Sequence, residues 1–393
     1  MNSLNNVIEK CKALAFDLDF KRAREWKSEK KDRVLIGYMP IYVPREIIHA
    51  AGGLPVGILG VGDKKQVIKG DAFYQSYICR IPRGIIELAL DNYFINFDGF
   101  IFPSICDVIR NLSGMFQILR VGTFVHYLDF PQNFQSDIGG LFYHNEMRQI
   151  LNEIKKINGI EVSIEQLNNS IKLYNKNRRL IEEIYNIRQN FPWRLSAEDL
   201  YYIIRAGMVI PVEEHNDILE QVVDYMSKEN GKPMDKIKVM VIGSFCEQPP
   251  IGLIKTIEMA GCYIVEDDFL LGSRWIQGDV KENSDDPLVA LSNAFLTQST
   301  FSSSVYDIEN PKEKRLLELA KKRKVDGIIF AAPSFCDPAL LDLPVYQNTC
   351  DDKNIRYISF QFSENTGQFK NIKEQVGAFS DSIKLWSEEL IES

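Results

Sequence analysis

The sequence predicts an α/β protein with two doubly wound parallel-sheet domains joined by a helical insert, and three observations carry that reading. Runs of consecutive apolar residues, rather than alternating ones, recur in two separate regions, as expected of strands covered by helices on both faces. The runs are interleaved with segments whose apolar residues fall at three- and four-residue spacing. Between the two regions lies a long polar stretch with helical periodicity.

In the first region RVLIGYMPIYVP (33–44) and FDGFIFPSIC (97–106) read as strands. REIIHAAG (45–52) and DVIRNLSGMFQILR (107–120) read as the helices that follow them. From 145 to 236 the chain is strongly helical and includes the more apolar LYYIIRAGMVIPVEEHN. The second region holds the strands KVMVIGSFC (238–246), CYIVEDDF (262–269), DGIIFAAPSFC (326–336) and RYISFQFSEN (356–365). Its helix PPIGLIKTIEMAG stops at Gly261, a common helix-ending residue. The expected division is an N-terminal α/β domain with a leading helix over 1–144, a connector over 145–236 and a second α/β domain over 237–393. No fixed-period repeat is present.

Composition excludes several functions. A chain of 393 residues with 45% hydrophobic and 25% charged residues is an ordinary globular protein of about two domains. Its net charge of −8, with no basic run longer than Lys321-Lys322-Arg323-Lys324, argues against nucleic acid as a partner. No segment has the apolar length of a membrane span and the N-terminus lacks a secretory pattern, so a cytoplasmic protein is expected. Seven cysteines without a CxxC pair do not read as a disulfide framework. GxGxxG, Walker A and HExxH patterns are absent, leaving nicotinamide binding, ATP hydrolysis by this chain and zinc hydrolysis without sequence support.

The cysteines carry the chemistry. PSICD (103–107) and PSFCD (333–337) are nearly the same pentapeptide, each directly after an apolar run. Ligands of open parallel sheets bind beyond the carboxyl ends of the strands. Cys106, Cys246 and Cys336 sit at such ends, followed by Asp107, Glu247 and Asp337. Cys79, in DAFYQSYICRIPRG, has Arg80 and Arg83 beside it. Helix starts and neighbouring cations favour the thiolate, the form that binds metal. These four are candidate ligands of a metal or an iron–sulfur cluster. Cys11 on a helix face, Cys262 at a strand start and Cys350 in a polar loop read as structural.

The segments YMPIYVPREIIHAAG, GDAFYQSYICRIPRG, FPSICDVIRNLSGM, VIPVEEHN, GSFCEQPP, GCYIVEDDF, FAAPSFCDPALL and SDSIKLW resemble the gamma (C) subunits of ATP-dependent benzoyl-CoA reductases, within the 2-hydroxyacyl-CoA dehydratase superfamily. The likeness runs from about residue 1 to 387. It implies two flavodoxin-like domains and a 4Fe-4S cluster held by Cys79, Cys106 and Cys336, with one iron left for a non-protein ligand or the substrate. Cys246 would be a near-cluster residue or an additional ligand. The resemblance also implies a homologous cluster-binding partner subunit, an ATP-hydrolysing iron–sulfur activator, ferredoxin as electron source and an aromatic acyl-CoA substrate. Rival readings are a 2-hydroxyacyl-CoA dehydratase subunit, a double-cubane-type reductase and a cluster-free structural subunit.

Ring reduction also needs a proton donor. Glu46 and His49, three apart on REIIHAAG, share a helix face and have the right types; a capping Glu and a packed His are the structural alternative. Glu247 is directed by the rigid Pro249-Pro250 turn. Glu213, Glu214 and His215 have relay chemistry but, being consecutive, cannot all face one cavity. Arg80, Arg83 and Arg110 are candidates for holding CoA phosphates or offsetting cluster charge, with ion pairs to Asp71 or Asp107 as the alternative. The acids Glu266, Asp267 and Asp268 look like a hydroxyl- or metal-binding strand end, with solvated strand-end acids as the commoner alternative.

Overall fold

The computed structural model describes residues 2–62, 64–228, 231–243, 249–269, 274–301, 305–363 and 368–392. In the first half β1 (Val34–Tyr38), β2 (Gly53–Gly57), β3 (Gly99–Pro103) and β4 (Phe124–Leu128) form a parallel sheet in the order β2-β1-β3-β4. In the second half β5 (Ile237–Ile242), β6 (Cys262–Asp267), β7 (Gly327–Pro333) and β8 (Tyr357–Phe362) repeat that order as β6-β5-β7-β8. These are the two doubly wound, flavodoxin-like sheets that the apolar runs predict. The runs work as strands because β1, β3 and β7 are buried along their whole length. β2 and β4 have no counterpart among the predicted strands. GLPVG is broken by glycine and proline, and its Pro55 is tolerated because β2 lies at the sheet edge. FVHYL is an edge strand exposed enough to carry no continuous apolar run.

The helices are α1 (Asn2–Ala15), α2 (Lys21–Ser28), α3 (Arg45–Ala50), α4 (Arg80–Leu90), α5 (Asp107–Leu119), α6 (Leu141–Asn158), α7 (Ile164–Asn190), α8 (Ala197–Ala206), α9 (Val212–Lys228), α10 (Ile251–Met259), α11 (Pro287–Gln298), α12 (Lys312–Arg323), α13 (Asp337–Asp352) and α14 (Phe369–Glu392). The long α7 starts on a capping box: the Ser163 hydroxyl accepts the Gln166 N–H while the Gln166 side chain accepts the Ser163 N–H. No helix among the described residues is long and apolar enough to cross a membrane.

The cores do not follow the order of the chain. Trp275 and the buried face of α11, with Leu288, Leu291 and Phe295, pack into the core of the first sheet, where Phe295 stacks on Tyr143 with ring centroids 4.4 Å apart. Tyr42 closes a triangle with Trp275 and Phe295, its ring 5.8 Å from the first and 5.9 Å from the second. In return α1 contributes Leu4, Cys11 and Ala15 to the core of the second sheet, together with α8 and α9. Each sheet is covered partly by chain from the other half.

Candidate functional site

The twin pentapeptides occupy equivalent places. β3 and β7 are each the third strand of their sheet, and each pairs with the edge strand up to its final proline, Pro103 with Leu128 and Pro333 with Phe362. The next residue then donates its N–H to the carbonyl of that same edge residue, Ser104 to Leu128 at 2.9 Å and Ser334 to Phe362 at 2.7 Å. Two residues later comes the cysteine. Cys106 is the N-cap of α5 and Cys336 the N-cap of α13, and Cys79 holds the same position on α4. Three thiols therefore stand at three helix N-termini, where unsatisfied N–H groups and the helix dipole favour negative charge.

All three line one cleft of about 340 Å³. Met39, Ile81, Ile105, Ile109 and Leu341 give it apolar walls, and Asp107 and Asp337 stand beside the thiols. Burial drives the Cys106 thiol up to about 11. The N–H groups of Ile109 and Val108, donating toward its sulfur, pull the other way, and the nearby Cys336 and Asp107 add to the rise. Among the described residues no three His, Cys, Asp or Glu side chains converge on a single metal ion; the three thiols border a volume, not a point.

The two turns differ at one slot. Ile105 is buried with an ordinary φ, whereas Phe335 has φ +67° and a ring 51% exposed at the cleft. A bulky residue held in the left-handed region is strained. Tyr74, five residues before Cys79, was not singled out by sequence reasoning. Its hydroxyl is buried without a hydrogen-bond partner among the described residues. Burial first, then the charges of Cys79 and Cys106, push its phenol well above the usual tyrosine range. An aromatic in a polar stretch gives no sequence signal of that position.

The other predicted site residues lie elsewhere. Glu46 is buried against Arg178 of α7 at 2.6 Å, and Arg178 also donates to the Asn175 side chain. His49 is held between Ser170 at 2.9 Å and Glu213 at 3.0 Å. Both tie α3 to the connector helices, and neither lines the cysteine cleft. Glu214 turns away to Arg22. The His215 ring is fully buried between Asn177 and the Ile203 carbonyl. Burial and Arg45 hold it down at about 3.

Arg83 pairs with Asp71 at 3.0 Å, Arg80 donates to the Lys65 carbonyl, and Arg110 lies over the Tyr127 ring. None of the three lines the cleft. Cys246 and Glu247 fall outside the described residues. Cys11 and Cys262 are packed thiols that burial pushes up to about 11 and 12. Cys350 is not in a loop: it is buried in α13, facing the core under β7. Nor is the acidic strand end solvated, since Glu266 is buried between Arg274 at 2.7 Å and Arg323 at 2.6 Å.

Comparison with known proteins agrees with this architecture. The profile of the family described as 2-hydroxyglutaryl-CoA dehydratase, D-component, matches residues 40–383. The C subunit of the benzoyl-CoA reductase of Thauera aromatica is 49% identical, covering 98% of this chain and 100% of that protein. The beta subunit of the (R)-phenyllactyl-CoA dehydratase of Clostridium sporogenes is 24% identical over 90% of this chain and 93% of its own. The beta subunit of the (R)-2-hydroxyglutaryl-CoA dehydratase of Acidaminococcus fermentans is 27% identical over 91% and 94%.

Proposed function

Because the chain belongs to the 2-hydroxyglutaryl-CoA dehydratase D-component family, we propose that it is the iron–sulfur subunit of an aromatic acyl-CoA reductase of the benzoyl-CoA type, with Cys79, Cys106 and Cys336 as the ligands of a 4Fe-4S cluster. The observation that carries this reading is the meeting of three N-cap thiols, from three distant segments, on one cleft. The donor set suits such a group: it is all sulfur, it borders a volume instead of a point, and three helix N-termini offset the charge of thiolates and cluster together. The identity to a benzoyl-CoA reductase subunit, about twice that to the dehydratase subunits, supports ring reduction over dehydration.

When bound, the cluster supplies single low-potential electrons, which no amino-acid side chain provides. The chain's own residues do the rest. Cys106, a thiol held at about 11 when unligated, must lose its proton on ligation, so loading releases acid. Met39, Ile81, Ile105, Ile109 and Leu341 give the thiols apolar surroundings on the protein side of the cleft. Tyr74 keeps its proton because its phenol is pushed up, and its hydroxyl, without a partner among the described residues, is the proposed donor near Cys79 and Cys106, from outside the cleft lining. Glu46 and His49, being engaged by Arg178, Ser170 and Glu213, act as structural residues in this reading. As the relatives are named as subunits, a homologous partner subunit and an ATP-hydrolysing activator fed by ferredoxin belong to the proposal.

The test is iron and acid-labile sulfide on anaerobically purified protein co-expressed with its partner, for the parent and for Cys79→Ala, Cys106→Ala and Cys336→Ala. Loss of roughly four iron atoms in each variant is expected. Unchanged iron in Cys106→Ala and Cys336→Ala overturns the assignment. Turnover of benzoyl-CoA against a 2-hydroxyacyl-CoA then separates reductase from dehydratase, and Tyr74→Phe should keep its iron while losing turnover.

A further inference from the structure

A second cavity lies at the carboxyl end of the second sheet, where β5 and β7 adjoin while their following connections depart to different strands. It measures about 90 Å³ and shares no lining residue with the cysteine cleft. Its walls are mainly apolar, with Leu316, Leu319, Phe330, Leu343 and Tyr346 among them. Four carboxylates also border it, and each is matched. Glu266 is held by Arg274 and Arg323, and Asp342 by Lys312 at 2.9 Å. Asp267 accepts the Tyr185 hydroxyl at 2.9 Å, and Asp268 accepts the Gly243 N–H at 2.8 Å.

The cations do not balance in the same way. Arg274 and Lys312 are used in those pairs, whereas the Arg315 guanidinium has no hydrogen-bonding or ion-pairing partner among the described residues. Burial and the neighbouring Arg274 disfavour its charge, and Glu266, Tyr346 and Tyr42 offset them only in part. A guanidinium kept charged at the edge of an apolar cavity calls for an anion. Arg315, Phe301 and Lys312 also border a neighbouring polar groove of about 180 Å³.

We propose that this cavity is a binding site for a small apolar monocarboxylate, its carboxylate paired with Arg315 and its hydrocarbon body against Leu316, Phe330 and Tyr346. One cation without a direct partner among the described residues suits one negative charge, and the four carboxylates that border the cavity disfavour the higher charge of a phosphate. A cavity of about 150 Å³ holds benzene, so this one suits a body of roughly three or four carbons. The site stands independently of the iron–sulfur reading, because none of its residues is a cysteine ligand there.

The experiment is calorimetric titration of the purified protein with isobutyrate, isobutyramide and inorganic phosphate. Saturable binding of isobutyrate alone is expected, with Kd raised at least about tenfold in Arg315→Met and less in Arg315→Lys. Should Arg315→Met fail to fold, Leu343→Trp keeps the cation but fills the cavity, and should abolish binding equally. Binding of isobutyramide as tight as isobutyrate, preference for phosphate, no saturable isobutyrate binding, or unchanged affinity in Leu343→Trp each overturns the proposal.

Discussion

Positions 105 and 335 are the same slot of the same pentapeptide, yet alanine and glycine should rank in opposite order at the two. Ile105 is 1% exposed, so Ile105→Ala removes a packed side chain at a cost of about 2–5 kcal/mol. Phe335 is 51% exposed, and Phe335→Ala forfeits only about half of a ring's burial, about 1 kcal/mol. Glycine separates the two sites further. At 105, where φ is ordinary, the freer unfolded chain makes glycine about 0.5–1 kcal/mol worse than alanine. At 335 the left-handed backbone costs alanine about 1–2 kcal/mol that glycine does not incur. After the same unfolded-state entropy, glycine should be better by about 0.5–1 kcal/mol. Urea midpoints followed by circular dichroism under reducing, anaerobic conditions read the ranking directly. Alanine above glycine at both positions would refute the claim that Phe335 is strained, and with it the idea that strain holds an aromatic ring at the cleft.

Other expectations concern the network around the site. Glu46→Gln, which leaves Arg178 buried and uncompensated, should cost about 3–5 kcal/mol in urea melts, and the double variant with Arg178→Met should recover much of it. Turnover per folded molecule should persist in the double variant, since Glu46 is structural here. Burial holds His215 at about 3 against 6.5 in the unfolded chain, so below about pH 6.5 the unfolded state binds a proton that the folded state refuses. Stability should therefore fall with pH through that window, by roughly 2 kcal/mol at pH 5, and His215→Gln should reduce the slope by one proton. A Cβ on Gly70 would lie 2.0 Å from the Arg83 carbonyl oxygen, in the segment that Glu87 pins by accepting the Ile68 and Gly70 N–H groups. Gly70→Ala should thus destabilise by about 1–3 kcal/mol and speed reaction of Cys79 with a thiol reagent.

The strands buried on both faces were legible because continuous apolar runs have few other uses, and the cysteine turns because both open a helix directly after such a run. The edge strands of the first sheet were not: GLPVG is interrupted by glycine and proline, and FVHYL by His126. Glu46 and His49 read equally as proton donors or as a capping Glu and a packed His, because a helix face shows only which residues lie together. What packs on that face is decided by α7 and α9, more than a hundred residues away. The acids at 266–268 look solvated until Arg274 and Arg323 arrive from other elements. Tyr74 and Arg315 carry no local pattern, because what distinguishes each is a missing partner, and a missing partner is a tertiary fact.

The exchange of packing between the halves sets a timetable for synthesis. The first sheet is complete in sequence by Leu128, yet its core lacks Trp275 and Phe295 until the ribosome has gone more than a hundred residues further. Cys336 trails Cys106 by 230 residues (336 − 106), which at bacterial-like elongation rates is roughly 12 to 46 s. During that interval Cys79 and Cys106 sit on a nascent half-protein whose apolar core is still open. Any group that needs all three thiols can be loaded only after the chain is nearly finished. A truncated N-terminal fragment should accordingly depend on chaperones to stay soluble, even though it contains an entire sheet.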